Sequence, residues 1–223
     1  MHVNADERGR LHFHEALGEL EAHALGGIDM VLEQLDRTLT ALAEHDTELA
    51  AIVIGGARRV QGRYLEVHEG LLSLLARQTP VAGDLRIVAA LLHVIVRIKR
   101  MDDQCVNICR LLSGDEQDTQ PEILAMLLQM GALARALVWE AKSAFEERDA
   151  GLAADLPRQD REISQLERQI FLKALDAGAD IDIREWAMNA TLMARALARV
   201  GDNAVDIGEQ ATFVVSGLFR EFA

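Results

Sequence analysis

The sequence predicts an all-α protein of two pseudo-symmetric three-helix bundles side by side, with six long helices. Ala and Leu, which favour helices, dominate the composition, while the β-branched residues that favour strands are sparse. Apolar residues recur every three or four positions along nearly the whole chain, which is the period of a helix with one buried face. Half of the 223 residues are hydrophobic, which is ample for a sizeable core.

Few helix-breaking residues interrupt this pattern, and they divide the chain into six segments. A polar and acidic stretch, residues 113–120, is the strongest linker candidate, because it carries no apolar period. It separates a first domain, residues 7–112, from a second domain, residues 121–218. Within these domains we expect helices over about residues 7–44, 47–77, 80–112, 121–148, 151–177 and 181–218.

Capping residues and prolines support several of these boundaries. Asp46 can cap helix 2, because its carboxylate can accept a hydrogen bond from the first helical turn. Thr79 and Pro80 predict the start of helix 3, since Thr caps well and Pro lacks the N–H that the first turn leaves unbonded. Asp84 would then lie near the positive end of the helix dipole. Pro121 opens helix 4 in the same way, whereas Pro157 is expected to kink helix 5 or delay its start.

The two halves of the chain repeat each other, which predicts two copies of one three-helix unit. The segment RMDDQCVNI (residues 100–108) matches RVGDNAVDI (residues 199–207). A shorter match pairs the residues after Asp46 with those after Asp149, in the same order along the chain and at a similar offset. The small drift in offset is what turns of different length would produce.

Two apolar stripes, one on helix 3 and one on helix 6, are predicted to face the cores. The stripe on helix 3 includes Ile98 and Cys105, and helix 6 carries Leu197 in the position equivalent to Ile98. Cys105 and the neighbouring Cys109 are expected to be reduced core residues, since the sequence offers no evident Cys or His partners for a metal site.

Polar residues form a second stripe on the opposite side of these two helices. On helix 6, Asp202, Asp206 and Glu209 are four and three residues apart, so they share one line of the helix and are expected to face outward. The equivalent positions on helix 3 are Asp103 and Asn107. A hard cation would relieve the repulsion among these carboxylates, but a solvated acidic face is the alternative that the spacing alone favours.

The net charge of −13, from 36 acidic and 23 basic residues, argues against several classes of function. Neither half has the basic surplus that nucleic acid binding requires, and an acidic surface repels anionic lipid headgroups, so neither nucleic acid nor a membrane is an expected partner. No apolar stretch approaches the ~20 residues of a membrane span, and the N-terminus does not resemble a signal peptide, so a cytoplasmic protein is expected. No catalytic motif is recognisable, so we do not expect an enzyme.

Three segments carry a resemblance to a known family. LLARQTPVAGDLR (residues 74–86) is similar to the sequence that joins the second and third helices of PhoU proteins, and residues 100–108 and 199–207 resemble that family's repeated motif. The resemblance extends from Phe13 to Val215. It implies two three-helix bundles in a cytoplasmic, often dimeric, regulator of phosphate uptake and phosphate-starvation signalling.

The resemblance also implies protein partners. PhoU proteins contact a phosphate-specific ABC transporter, through its ATPase, and a sensor histidine kinase, and they help to keep the phosphate regulon off when phosphate is plentiful. A homodimer is expected on the same ground. A metal-binding helical protein and a structural helical adaptor outside phosphate physiology are the alternatives.

In the first half, the sequence departs from the acidic pairs through which some PhoU proteins bind iron or zinc clusters. Lys99 replaces the acidic partner of Asp103 and is expected to form an ion pair with it, one helical turn away. The corresponding positions on helix 2 are Ala57 and Gln61, which carry no carboxylate. A site at Asp103 and Asn107 is therefore expected to be non-functional.

The second half keeps more of the family's pattern. Ala198 replaces the acidic partner of Asp202, and on helix 5 Ser164 replaces the partner of Asp160. The remaining oxygen ligands suit a hard divalent cation or iron, and the resemblance adds zinc. The second half could therefore hold one ion weakly, through Asp160, Asp202, Asp206 and Glu209.

Overall fold

The computed structural model describes residues 5–77, 80–112, 120–177, 179–181 and 183–219, and these residues form six α-helices and no β-strand. The all-α prediction is therefore confirmed. The helices are α1 (Ala5–Glu44), α2 (Thr47–Arg77), α3 (Ala82–Leu111), α4 (Pro121–Glu146), α5 (Ala150–Ala177) and α6 (Arg184–Ser216).

The helices pack as two three-helix bundles, α1–α3 and α4–α6, as the sequence predicts. Contacts of α3 with α6 and of α1 with α4 join the bundles side by side. One hydrophobic core runs through both bundles and includes Ile98, Leu197 and Cys105 from the predicted stripes. Cys109 is also buried, and both cysteines are free thiols, as expected. The predicted linker falls, except for Gln120, on residues that lie outside the described ones.

The turns α1–α2 and α4–α5 are built alike, which is a local sign of the repeat. The Asp46 carboxylate accepts a hydrogen bond from the Leu49 N–H at 2.8 Å, so its predicted capping role is confirmed. At the equivalent point, the Asp149 carboxylate accepts one from the Leu152 N–H at 3.0 Å. The residue before each of these aspartates has a positive φ, 52° in the first turn and 56° in the second, which turns the chain between the two helices.

The predicted start of α3 at Pro80 is wrong by two residues. Pro80 precedes the helix, and Val81, in an extended conformation, is the N-cap residue. The Val81 carbonyl accepts the first helical hydrogen bond, from the Leu85 N–H at 3.0 Å. The capping prediction for Thr79 lies outside the described residues, whereas Asp84 does lie in the first turn of α3 as predicted.

The second bundle differs from expectation in two details. α6 begins at Arg184 rather than near residue 181, because residues 179–181 still belong to the turn after α5, where the Asp180 N–H donates to the Ala177 carbonyl at 3.1 Å. Pro157 lies within α5 and does not delay its start. Since Pro has no N–H, it removes one backbone hydrogen bond from that helix.

Among the described residues, α4 is the one helix that is long and apolar enough to cross a membrane by length and composition. The expectation that no apolar stretch approaches this length is wrong for α4. In the structure α4 packs against α1, α5 and α6, and Leu127, Leu137 and Phe145 are fully buried. Its buried face therefore accounts for part of its apolar composition, since 39% of its most apolar 18-residue stretch is buried in the structure.

α6 is enclosed by three neighbours, α3, α4 and α5. About half of its 33 residues are buried, and more than half of those are Ala or Gly. Small side chains allow helix axes to approach closely. A Cβ at Gly208 would overlap the Leu156 side chain of α5, and a Cβ at Gly201 would overlap the Asp160 carboxylate of the same helix.

Three ion pairs lie along the contact between α1 and α4, which is the second contact between the bundles and in which the two helices run antiparallel. Each pair joins a base at α4, or just after it, to an acid on α1. Because these pairs lie at the surface, each stabilises the fold by about 1 kcal/mol or less. The pairs are Arg135 with Asp36 (2.5 Å), Lys142 with Asp29 (2.7 Å) and Arg148 with Glu21 (2.5 Å).

We expect Gly208→Val to destabilise the protein by about 1–3 kcal/mol, because the added side chain must displace the fully buried Leu156. Thermal unfolding followed by circular dichroism measures the effect as a Tm several degrees lower. Gly62→Val is the matched control, since nothing lies within 4 Å of a Cβ at that helical glycine. Equal Tm values for the two variants would contradict the close α5–α6 packing.

Candidate functional site

The candidate site in the first bundle is a shallow cavity between α2 and α3. Asp103 is exposed and forms the predicted ion pair, with its Oδ2 2.8 Å from Lys99 Nζ. Ala57 and Gln61 line the same cavity, so the structure brings together the four positions that the sequence singled out. Arg58 lines it as well. The lining thus holds two carboxylates, Asp103 and the neighbouring Asp102, and two basic side chains that offset their charge, which weakens the attraction for a metal ion.

Asn107 is exposed one turn beyond Asp103 and lies outside that cavity. It lines the groove between α3 and α6 instead. Asp103 and Asn107 therefore line different cavities, and their side chains do not converge on one point where an ion could bind.

Sequence reasoning missed Asp102, which lies beside Asp103 but points into the first bundle. Asp102 is only 2% exposed. The side-chain amide of Gln34 on α1 donates a hydrogen bond to the Val53 carbonyl of α2 at 3.0 Å and one to the Asp102 carboxylate at 3.4 Å. Burial raises the pKa of Asp102, while the Gln34 hydrogen bond opposes that shift. Its position four residues after Ile98 on the core stripe is the signal that could have found it.

The three carboxylates of α6 do not share one environment. Asp202 is exposed, as predicted. Asp206 is partly buried and pairs with Arg97 of α3, Oδ2 to Nε at 3.1 Å. The expectation that Glu209 faces outward is wrong, because it is only 8% exposed. Because α6 packs against α3, α4 and α5, the line of the acidic stripe runs into the buried part of this helix packing at Glu209.

Asp160 is the titratable group in this region with the most perturbed proton affinity. It is partly buried on α5, and its Oδ1 has no hydrogen-bond partner among the described residues. Burial is the largest cause that raises its pKa to about 6, and the negative charges of Asp202 and Glu167 contribute to the same shift. Although the residue Asp202 is exposed overall, neighbouring groups partly desolvate its carboxylate and raise its pKa as well, while Arg195 opposes that shift.

These positions do not form a metal site in the described part of the chain. No group of three or more His, Cys, Asp or Glu side chains there is arranged to hold an ion. Asp160 and Asp202 do lie near each other, but Asp206 is engaged by Arg97 and Glu209 lies in the helix interface. The residues therefore do not fit a metal cluster, and the weak single ion predicted for Asp160, Asp202, Asp206 and Glu209 stays a prediction.

A row of arginines between α3 and α6 is a surface feature that the sequence analysis did not single out. The row follows the groove where the two bundles meet, and it contrasts with the acidic charge of the whole chain. The signal was a pair of arginines about one helical turn apart on each helix, three residues apart on α3 and four on α6, with one more arginine ten residues further along α3. The arginines are Arg97, Arg100, Arg110, Arg195 and Arg199.

Comparison with known proteins places this fold in a family. The PhoU domain model matches the chain twice, over residues 28–112 and 127–211, once in each bundle. The phosphate-specific transport system accessory protein PhoU homolog 1 of Mycobacterium leprae is 29% identical over 95% of this chain and 96% of that protein. The phosphate-specific transport system accessory protein PhoU of Escherichia coli is 28% identical over 86% of this chain and 80% of that protein.

Two solved structures show the same architecture. The crystal structure of the phosphate transport system regulatory protein PhoU from Streptococcus pneumoniae superposes with a TM-score of 0.87, at 24% identity over 94% of this chain and 99% of that one. The crystal structure of PhoU from Pseudomonas aeruginosa gives a TM-score of 0.84, at 24% identity over 92% and 100% of the two chains. At 24% sequence identity, the structural similarity to these two proteins shows that the fold is shared.

We expect Asp160→Asn to stabilise the protein more at pH 8 than at pH 5. A carboxyl whose pKa is raised to about 6 on folding favours the folded state at low pH and loses that contribution as pH rises through 6. The neutral amide avoids this loss, so its gain at pH 8 should be of the order of 1 kcal/mol after allowing for partial exposure. The measurement is Tm of variant and wild type at both pH values.

Asp176→Asn is the matched control for this pH experiment, since Asp176 is exposed on the same helix. Its Tm difference from wild type should be the same at pH 5 and pH 8. An Asp160→Asn difference that is equally independent of pH would contradict the burial of Asp160 against α6.

Proposed function

The chain belongs to the PhoU family, and on that premise we propose that it is an accessory protein of a phosphate-specific transport system, regulating phosphate uptake and phosphate-starvation signalling. The observation that carries the proposal is the match of the PhoU domain to both bundles. Relatives named as accessory proteins of phosphate-specific transport, alike over nearly the whole chain, support it. In this proposal the protein acts in the cytoplasm, as a homodimer, and helps to keep the phosphate regulon off when phosphate is plentiful.

Contact with other proteins is the proposed mode of action, and catalysis is not. Burial raises the pKa of both thiols, Cys105 and Cys109, which removes them as nucleophiles. The carboxylates of α6 are dispersed between solvent, an ion pair and the helix interface. Two rigid bundles joined by a continuous core are instead suited to present fixed surfaces to a partner.

The proposed partners are the ATPase of a phosphate-specific ABC transporter and a sensor histidine kinase. The chain carries a net charge of −13, so its acidic faces would be attracted to a basic patch on either partner. Complementary charge of this kind speeds association and selects the partner more than it raises affinity. The contact should therefore weaken as salt screens the charges.

Deletion of the gene in its host should switch on a phosphate-starvation reporter in medium rich in phosphate, raising its expression several-fold. We expect this result because the deletion removes the regulator that keeps the phosphate-starvation response off. A plasmid copy of the wild-type gene should restore silence. If the reporter stays silent in the deletion strain at high phosphate, the proposed function is contradicted.

Affinity capture of the full-length protein from the same host separates the regulator from a structural adaptor outside phosphate physiology. Recovery of the phosphate transporter ATPase or the sensor kinase in the capture, lost at high salt, is the outcome the proposal requires. Repeated recovery of neither, alongside a silent reporter, would favour the adaptor.

A further inference from the structure

The groove between α3 and α6 is long, open and straight. The two helices run antiparallel, so that Arg97 lies opposite Asp206, and Leu111 lies opposite Leu192 at the far end. With a rise of 1.5 Å per residue, the stretch of α3 between these two points is about 21 Å long. Two adjoining cavities of about 450 and 390 Å³ lie along it and share the Arg199 side chain.

The groove is basic although the whole chain is acidic. Arg97 and Arg195 are held by ion pairs with Asp206 and Glu167. The other three arginines of the row are exposed and form no ion pair with any residue that the structure describes. Asp202 is the remaining carboxylate along the groove. Asp202 interacts electrostatically with Arg199. Five arginines and two carboxylates line the groove, so it keeps a positive surplus that a bound anionic partner would offset. The three arginines without an ion pair are Arg100, Arg110 and Arg199.

One end of the groove opens onto exposed apolar surface. A cavity of about 420 Å³ between α5 and α6 is lined by Phe171, Leu175, Met188 and Leu192. Each of these side chains is half exposed or more, and Leu192 also lines the basic groove. Exposed apolar side chains grouped in this way, next to a basic rim, are typical of a binding surface.

The geometry points to an acidic amphipathic helix of a partner protein as the occupant of this α3–α6 groove. The inference rests on the proposed function, because the occupant is a segment of a protein that this chain regulates by contact. An α-helix is about 10 Å wide and lies along a groove between two others by ridges-into-grooves packing. Apolar side chains one turn apart would reach Leu192 and Met188, while carboxylates on the flank would reach Arg199 and Arg110.

The sign and shape of the groove favour this occupant over the other anions. A guanidinium group can bind a carboxylate through two parallel hydrogen bonds, so a row of arginines can bind a row of Glu or Asp side chains. A small anion such as inorganic phosphate would leave the apolar end unused. A nucleic acid or an anionic membrane would carry its negative charge well beyond the groove and over the acidic surface of a chain with a net charge of −13, whereas a single acidic helix would place its charge along the arginines.

A synthetic peptide provides the direct test. The probe is a fluorescein-labelled helical peptide of about 20 residues with Leu one turn apart on one face and Glu on the flanks; a second peptide has Lys in place of every Glu. We expect the purified full-length protein to bind the Glu peptide with a micromolar Kd that weakens as salt rises, and to bind the Lys peptide at least tenfold more weakly.

Two triple variants with the same loss of charge locate the binding. Arg100→Ala with Arg110→Ala and Arg199→Ala should weaken the Glu peptide at least tenfold and flatten its salt dependence. The matched control removes exposed arginines on α1, α2 and α5 and should change the Kd less than twofold. Leu192→Ser should weaken binding while leaving the salt dependence intact, since it removes an apolar contact. The control substitutions are Arg10→Ala, Arg59→Ala and Arg161→Ala.

Three outcomes would overturn the inference: no binding of the Glu peptide up to ~1 mM, equal binding of both peptides, or equal binding by both triple variants. Stabilisation by ~10 mM inorganic phosphate without peptide binding would show a small-anion site instead, and would overturn it too. Unchanged circular dichroism and Tm values confirm that the variants fold.

The reporter strain separates this inference from the proposed function. In a deletion strain whose reporter is on, the control variant should restore silence and the groove variant should not. If the groove variant restores silence fully, the groove inference is overturned while the proposed function stands. If the deletion never switches the reporter on, the proposed function fails, and the peptide experiment still decides whether the groove binds an acidic helix.

Discussion

The close packing of α6 against three other helices is the constraint on which the rest of the structure depends. A helix enclosed by α3, α4 and α5 has room for small side chains along most of its surface, which explains its Ala and Gly content. Gly201 and Gly208 are the points where α5 side chains occupy the space that a Cβ would take. α6 thereby joins the second bundle to the first, and it keeps one open side, where the arginine groove lies.

Much of the fold follows from local features of the sequence, because helix periodicity and capping act over a few residues. The all-α architecture, the cap at Asp46 and the pair of Lys99 with Asp103 were all predictable in this way. The burial of Glu209 and the engagement of Asp206 by Arg97 were not. Both depend on which helices lie opposite α6, and spacing within one helix carries no information about its neighbours.

The two halves share a fold but differ in their polar chemistry. The first bundle carries Lys99 and Arg58 around Asp103, and so supplies its own positive charge. The second keeps Asp160 and Asp202 near each other, and burial is the largest cause that raises both pKa values. A duplicated unit has thus diverged at equivalent positions, while the packing of α3 against α6 holds both copies in one body. Its surface offers acidic faces and one basic groove, which suits a protein that acts by contact.

The most direct test of this account is native-state hydrogen exchange of the full-length protein, measured by mass spectrometry. If α6 is the shared centre of both bundles, its amides between about residues 193 and 211 should exchange as slowly as those of any helix, through unfolding of the whole molecule. The facing amides of α3 should exchange together with them. Faster exchange in α6 than in α2, or opening of the second bundle while the first stays protected, would contradict the account.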